Sequence, residues 1–234
     1  MQRIRFYFLP LLLLLLIGNP VKGQGLEYEV SAGPQVTKAI LNEYQNGIVS
    51  NEKPETNRSL LGYSFNLSAR LKNGKFQPGI QLKHDLARYN VYNKLFWPED
   101  FDSDKQSRWD HIYQAYRLGL GANLRINLSS FFVQPGVSYL AELSSQTKNQ
   151  FYFGKRDVTE EGGGEEYTSG SGAAGELQIG FKLGKPENKK FAISLGCQYL
   201  FVEQDYTDDV FLHHWTVTPI DFYALFAYRF ANQG

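Results

Sequence analysis

Leu61-Gly62-Tyr63-Ser64-Phe65-Asn66-Leu67-Ser68-Ala69-Arg70-Leu71 alternates apolar and polar residues without a break. Side chains of a strand point to opposite faces with a period of two, so this pattern describes a strand with one greasy face and one polar face. Lys72-Asn73-Gly74-Lys75 follows, and Asn-Gly between two alternating runs is a two-residue hairpin signal. The alternation then resumes, with Phe76, Pro78, Ile80 and Leu82 on one face and Gln77, Gly79, Gln81, Lys83 and Asp85 on the other.

The rest of the chain repeats this hairpin. Leu118, Leu120, Ala122, Leu124, Ile126 and Leu128 form one face of a further strand. Val133, Val137, Tyr139, Ala141 and Leu143 form another, and Leu177, Ile179, Phe181 and Leu183 the next. Phe191, Ile193, Leu195, Cys197, Tyr199 and Phe201 precede a last strand carrying Ile220, Phe222, Ala224, Phe226, Tyr228 and Phe230. Leu26 to Val36 fits a first strand, with Tyr28 and Val30 on its apolar face. No segment after residue 23 sustains helical periodicity. The connections alternate in length. Short turns fall near Asn73-Gly74, Asn127 to Ser130 and Gly184 to Lys190. Long loops are expected over 38–57, 88–110, 145–171 and 205–216, with the Gly162-Gly163-Gly164 run at the tip of the third. Short turns at one rim and long loops at the other are the pattern of a membrane barrel.

Alternation also fits a soluble lipocalin-like barrel with its apolar face inward. The glycines decide between them. Gly33, Gly62, Gly79, Gly119, Gly121, Gly136, Gly180 and Gly196 share the polar face with Arg70, Lys83, Asp85, Arg125, Glu142, Glu176, Lys182 and Arg229. A narrow lumen filled by long charged side chains needs glycines beside them, whereas a solvated outer surface gains nothing from glycine in its strands. The expected fold is therefore all-β: a closed antiparallel up-and-down transmembrane β-barrel of eight strands. It would have short periplasmic turns, long extracellular loops and both termini in the periplasm of a bacterial outer membrane. Mean hydropathy of −0.38 does not oppose this, because only alternate residues meet lipid. Aromatic residues at 15% of the chain suit an interfacial girdle, expected from Trp97, Trp109, Trp215, Tyr113, Tyr116 and Phe222 at the outer rim.

The first 23 residues read as a signal peptide. Arg3 and Arg5 precede an apolar run, Leu9 to Ile17, too short to span a bilayer as a helix. Val21-Lys22-Gly23 then offers a cleavage site, leaving residues 24–234 as the barrel domain. A net charge of zero gives no electrostatic argument for nucleic acid. Cys197, the sole cysteine, excludes an internal disulfide and reads as a small hydrophobe on a strand's apolar face.

Two strands start with the same step, Gln77-Pro78-Gly79-Ile80 and Gln134-Pro135-Gly136-Val137. The last ends on Tyr228-Arg229-Phe230. In these features the chain, over Leu26 to Phe230, resembles the outer-membrane protein β-barrel domain family, the small OmpA/OmpX-type or porin-family barrels. The resemblance implies an integral outer-membrane protein of structural or interaction type. Its partners would be outer-membrane lipid and lipopolysaccharide, with a surface or periplasmic protein also open. Some small barrels of this kind modify lipid A, but no catalytic constellation appears among the residues, so neither enzyme nor cofactor is expected.

The sharpest constellation is a set of cations, Arg70, Arg125, Lys182 and Arg229, each near the inner end of an even-numbered strand. Glu27 and Glu29 share the polar face of the first strand, which closes the barrel against the last. The set is either an anion-attracting mouth of a narrow porin-like channel or an ion-paired core that fills the lumen. Asp100, Asp102 and Asp104 have the opening spacing of a calcium loop, but Lys105 replaces the glycine and His111 the final glutamate. Asp205, Asp208, Asp209, His213 and His214 form a second, looser metal candidate. Lipid A modification requires a nucleophile, a base and an orienting acid. None of His84, His111, His213 and His214 sits in a His-x-Ser arrangement, and His84, the marginal candidate, lies on the apolar face with Asp85 on the other.

Overall fold

The computed structural model describes residues 25–45, 55–72, 74–95, 107–153, 156–161, 165–167, 170–184, 190–208 and 213–231. Every regular element is a strand: β1 (Leu26–Gln45), β2 (Glu55–Leu71), β3 (Phe76–Leu95), β4 (Ser107–Leu128), β5 (Phe131–Phe153), β6 (Arg156–Glu161), β7 (Glu165–Tyr167), β8 (Gly172–Leu183), β9 (Phe191–Leu200), β10 (Gln204–Asp208) and β11 (His213–Ala231). The order β1-β2-β3-β4-β5-β8-β9-β11 is antiparallel throughout, and β11 pairs back to β1 from Glu27↔Ala231 to Gln45↔His214. The eight strands therefore close, leaving no edge within the belt. β9 and β10 run along the same partner, β11, with Phe201 to Glu203 interrupting them. β6 folds back on the upper part of β5, and β7 pairs with β10.

Turn chemistry explains one rim. Gly74 adopts φ 58°, the left-handed conformation that a two-residue hairpin turn requires. Ser129 takes the same φ between β4 and β5, where an L side chain is strained. Across the short turns, Asn127 N donates to Lys75 O and Lys182 N to Ser130 O, tying neighbouring hairpins together.

The sidedness is unambiguous. Leu61 and Leu195 are 64% and 66% exposed, while Lys83, Arg117 and Arg125 are 0–1% exposed. Exposed apolar side chains form a continuous belt: Leu61 to Leu67 on β2, Leu120 to Leu128 on β4, Phe191 to Phe201 along β9, Phe222 to Phe230 on β11. The runs on β4, β9 and β11 are near the ~9–11 residues a tilted strand needs to cross hydrocarbon. In water such a surface would drive aggregation. Lipid is the solvent it fits, and the soluble-barrel alternative is excluded by this inversion of a water-soluble protein.

The strands outrun that belt. β4 has 22 residues and β5 has 23, about twice what the membrane requires. Much of what the sequence marks as long loops is therefore paired strand: Arg88 to Leu95 and Ser107 to Asp110, for instance, face one another from Arg88↔Gln114 to Leu95↔Ser107. Beyond hydrocarbon neither face needs to be apolar, so period two fades from the sequence while backbone pairing continues.

The aromatic girdle also differs from expectation. Tyr113 is buried, on the lumen side, because it shares parity with Ala115 and Arg117. Phe222 and Tyr116 do face outward. Trp97 and the side chains of Trp109 and Trp215 lie outside the described residues. The ring of contacting aromatics on the outer surface sits instead at the short-turn end. Tyr28 stacks on Phe230 at 5.6 Å, Phe131 meets Phe181 edge-on at 4.9 Å, and Phe191 lies 5.3 Å from Tyr228.

Candidate functional site: ion-pair tiers across the lumen

Inward-facing positions of eight strands must fill a space just wide enough for side chains. Here they do so in tiers. At the short-turn end Glu29 (β1) is the hub. Its Oε1 accepts from Arg70 Nη2 (β2) at 3.1 Å and from Arg125 Nη2 (β4) at 2.8 Å. Its Oε2 accepts from Arg125 Nη1 at 2.6 Å, with Arg229 Nε (β11) 4.0 Å away. Glu27 lies 3.8 Å from both Arg125 and Arg229. Arg125 is held further by Gln134, which accepts from its Nε at 2.9 Å, and by the Phe132 ring, 4.0 Å beneath the guanidinium. Five of the six residues singled out in the sequence thus meet in one cluster. The sixth, Lys182, is half-buried on the polar face of β8.

The middle tier centres on Glu176 (β8). Its Oε1 accepts from Tyr223 OH and from Gln178 Nε2, each at 2.6 Å, and its Oε2 from Gln81 Nε2 at 2.9 Å. Lys83 Nζ (β3) stands 3.8 Å from Glu176, donates to Gln198 Oε1 across the barrel at 2.6 Å, and sits 4.4 Å over the Tyr223 ring.

Above it Arg117 (β4) spans the lumen. Its Nε donates to Asp85 Oδ1 and its Nη2 to Asp221 Oδ2 (β11), both at 2.6 Å. Asp221 also accepts from Gln198 Nε2 at 3.0 Å and from Thr37 Oγ1 at 2.7 Å. Beyond the belt, Tyr113 donates to Glu142 Oε2 at 2.6 Å, and Tyr89 donates to Gln204 Oε1 at 2.5 Å. Burial first, then the Glu142 carboxylate, pushes the Tyr113 phenol well above its ordinary range.

Sequence reasoning missed Arg117 and Asp221. The signal was present, since both have the parity of the inward glycines beside them, Gly119 on β4 and Gly196 opposite Tyr223. What no parity argument supplies is that they meet, because partners across a lumen depend on strand tilt and stagger. Glycine serves these tiers by close approach. A Cβ on Gly180 would lie 2.1 Å from the Phe132 ring, and one on Gly196 2.4 Å from Tyr223.

The other candidates fall in part outside the described residues. Asp100, Asp102 and Asp104 lie outside the described residues, as does Asp209. Asp208 and His213 pair across the β10–β11 ladder, but their side chains are outside the description. No cluster of three metal-ligating side chains occurs among the described residues. His84 faces outward, stacked 5.7 Å from Tyr63 with Tyr63 OH 3.4 Å from Nδ1.

No protein-family model matches the sequence, and no curated protein matches it. Solved structures do. The attachment invasion locus protein Ail of Yersinia pestis is 15% identical, covering 87% of this chain and 98% of its own at a TM-score of 0.40. Neisserial surface protein A is 13% identical, with 87% and 97% covered and a TM-score of 0.39. The outer membrane protease OmpT of Escherichia coli is 6% identical, with 88% and 97% covered, also at 0.39. Closure of the eight strands, the apolar belt outside and the charged tiers within identify the chain on its own geometry as a small outer-membrane β-barrel.

Proposed function

We propose that the protein is a closed membrane anchor that carries a tall β-walled platform at the cell surface, where it meets lipopolysaccharide and surface partners, rather than an enzyme or a pore. Residues 1–23 would be the exported leader, and both termini would lie in the periplasm with the short turns. The carrying observation is Arg117, buried and bonded at once to Asp85 on β3 and Asp221 on β11. Together with Glu29–Arg125 and Lys83–Gln198, it places side-chain bridges across the lumen at three heights. An ion would have to break these in succession. The outward extension of β3, β4 and β5 supports the platform reading.

Planar-bilayer recording tests the closed lumen, and steady unit conductance would overturn it. Topology is tested on intact cells in a Cys197→Ser background. An impermeant maleimide is expected to label the S144C variant on upper β5 and to spare the K75C variant in a short turn. The reverse pattern would invert the assignment. Lipid A recovered from expressing cells is expected to have an unchanged mass spectrum, and a new species would restore the enzyme reading.

A further inference from the structure

The outer face of a membrane barrel turns from apolar to polar at the height of the lipid headgroups. On β2, β3 and β4 that step is built from hydrogen-bond donors. Going away from the short turns, the outward ladder passes from Leu82↔Leu120 through His84↔Leu118 and Leu86↔Tyr116 to Arg88↔Gln114. Phe65 and Tyr63 of β2 stand beside His84 and Leu86. His84 lies between two phenol rings, 5.7 Å from Tyr63 and 6.5 Å from Tyr116. Gln114 Nε2 donates to the Tyr116 hydroxyl at 3.4 Å. Arg88 stands one step above this stack, half-buried on the outer face. Its Nη1 makes a long bond, 3.4 Å to Leu61 O, and its Nε is buried without a partner. β2 bulges beside it, between Ser59 and Tyr63, and a bulge re-aims the side chains around it. On the other side of β2, Lys38 of β1 is exposed next to the Thr37↔Leu60 pair.

We propose that Arg88 and Lys38, flanking β2, hold a phosphate group of lipid A, the glycolipid base of lipopolysaccharide. A long cationic side chain lays its stem along apolar surface and keeps its head at headgroup level, and the planar guanidinium fork matches a phosphate. Tyr63, Tyr116 and Gln114 add neutral donors alongside. The apolar belt directly below, Phe65, Leu82 and Leu120, is where the acyl chains of the same lipid lie. This deepens the contact with lipopolysaccharide proposed above and rests on the same orientation, long strands outward. A failure of that orientation shows in the maleimide labelling, which none of the following variants touches.

The test is native mass spectrometry of the whole refolded barrel released from detergent micelles, with bis-phosphorylated lipid A as the probe. Folding of each variant is checked by heat-modifiable gel mobility. The wild type is expected to retain lipid A and to release the same lipid once its phosphates are removed. Arg88→Gln and Lys38→Gln should each weaken retention about tenfold, the loss of one charge-assisted bond at a water-facing interface. Arg88→Lys, which keeps the charge but not the fork, should lose less than Arg88→Gln. Retention unchanged in both glutamine variants, or equal for dephosphorylated lipid A, would overturn the proposal. So would displacement of lipid A by millimolar inorganic phosphate, which would make this a free-anion site, or equal retention of phosphatidylglycerol, which would make it a site for any anionic lipid.

Discussion

Replacing Arg117 by Met tests whether the lumen is held by ion pairs or merely filled. Met keeps an unbranched apolar stem of similar length and deletes the guanidinium. The wild-type group makes two 2.6 Å bonds, to Asp85 and Asp221, both 0–1% exposed. Its loss leaves two carboxylates across a lumen that water enters poorly. Breaking a buried pair in this way costs ~3–5 kcal/mol, most of it from the charges left behind. Asp221 keeps bonds from Thr37 and Gln198, whereas Asp85 Oδ2 already lacks a partner. The loss should therefore fall chiefly on Asp85. Adding Asp85→Asn and Asp221→Asn removes both uncompensated charges at almost constant volume, and should return stability to within ~1–2 kcal/mol of wild type, because the net worth of a buried pair is small. The assay is urea unfolding in lipid vesicles, followed by the heat-modifiable gel mobility of the folded barrel and by circular dichroism. Comparison is made at equal m-value. A loss under ~1 kcal/mol for Arg117→Met would refute the reasoning, as would a triple variant no more stable than the single one.

Leu195→Arg on the apolar belt should destabilise the vesicle-inserted barrel by ~2–4 kcal/mol if its position is near the midplane; no change in the same urea titration would mean that this face meets water. Gly33→Ala should abolish assembly, because the new Cβ would lie 1.8 Å from the backbone oxygen of Ala224. Gly180→Ala should be damaging yet rescued by Phe132→Ala, since there the clash is with a side chain; refolding yields on gels would report both. For Tyr113, whose folded phenol titrates above its unfolded value, the stability contribution is intact below about pH 10 and drains away as pH rises further, by roughly 1.4 kcal/mol per unit. Alkaline unfolding curves of wild type and Tyr113→Phe should accordingly converge with rising pH, and parallel curves would contradict the Tyr113–Glu142 bond.

How far the sequence speaks depends on which solvent each residue meets. Inside the belt, lipid on one side and a cramped polar lumen on the other force a period of two, so Leu61 to Leu71 reads as strand at sight. Past the belt, water lies outside and paired polar groups inside, and segments such as Tyr89-Asn90-Val91 lose the signal although β3 continues through them. The same boundary misled the reading of Tyr113. A tyrosine near the rim suggests an interfacial anchor, but its parity with Arg117 turns it inward to Glu142. Cluster membership was legible where neighbouring strands make it so, as for Glu27 opposite Arg70 on the β1–β2 ladder. It was illegible for Arg117 with Asp221 and for Lys83 with Gln198, because those bonds cross the barrel and depend on its stagger.

The distribution of charge follows from closure itself. Among the described residues, the bridged tiers contain five cations, Arg70, Lys83, Arg117, Arg125 and Arg229, and five carboxylates, Glu27, Glu29, Asp85, Glu176 and Asp221. These ten groups balance as a set but not by height. Arginine dominates at the short turns, where three cations meet two acids, and carboxylate dominates above, where three acids meet two cations. Low-dielectric walls prevent distant tiers from being independent, so each favours the other's sign. The upper acids therefore stabilise Arg117 and Lys83 locally and, more weakly, the arginines below. Neutralising an upper acid and a lower arginine together should thus cost less than the two losses added, a coupling that a double-mutant cycle of Asp85→Asn with Arg229→Gln measures directly. Strict additivity in that cycle would mean that the tiers are screened from one another by water, and that the lumen is wetter than its buried side chains suggest.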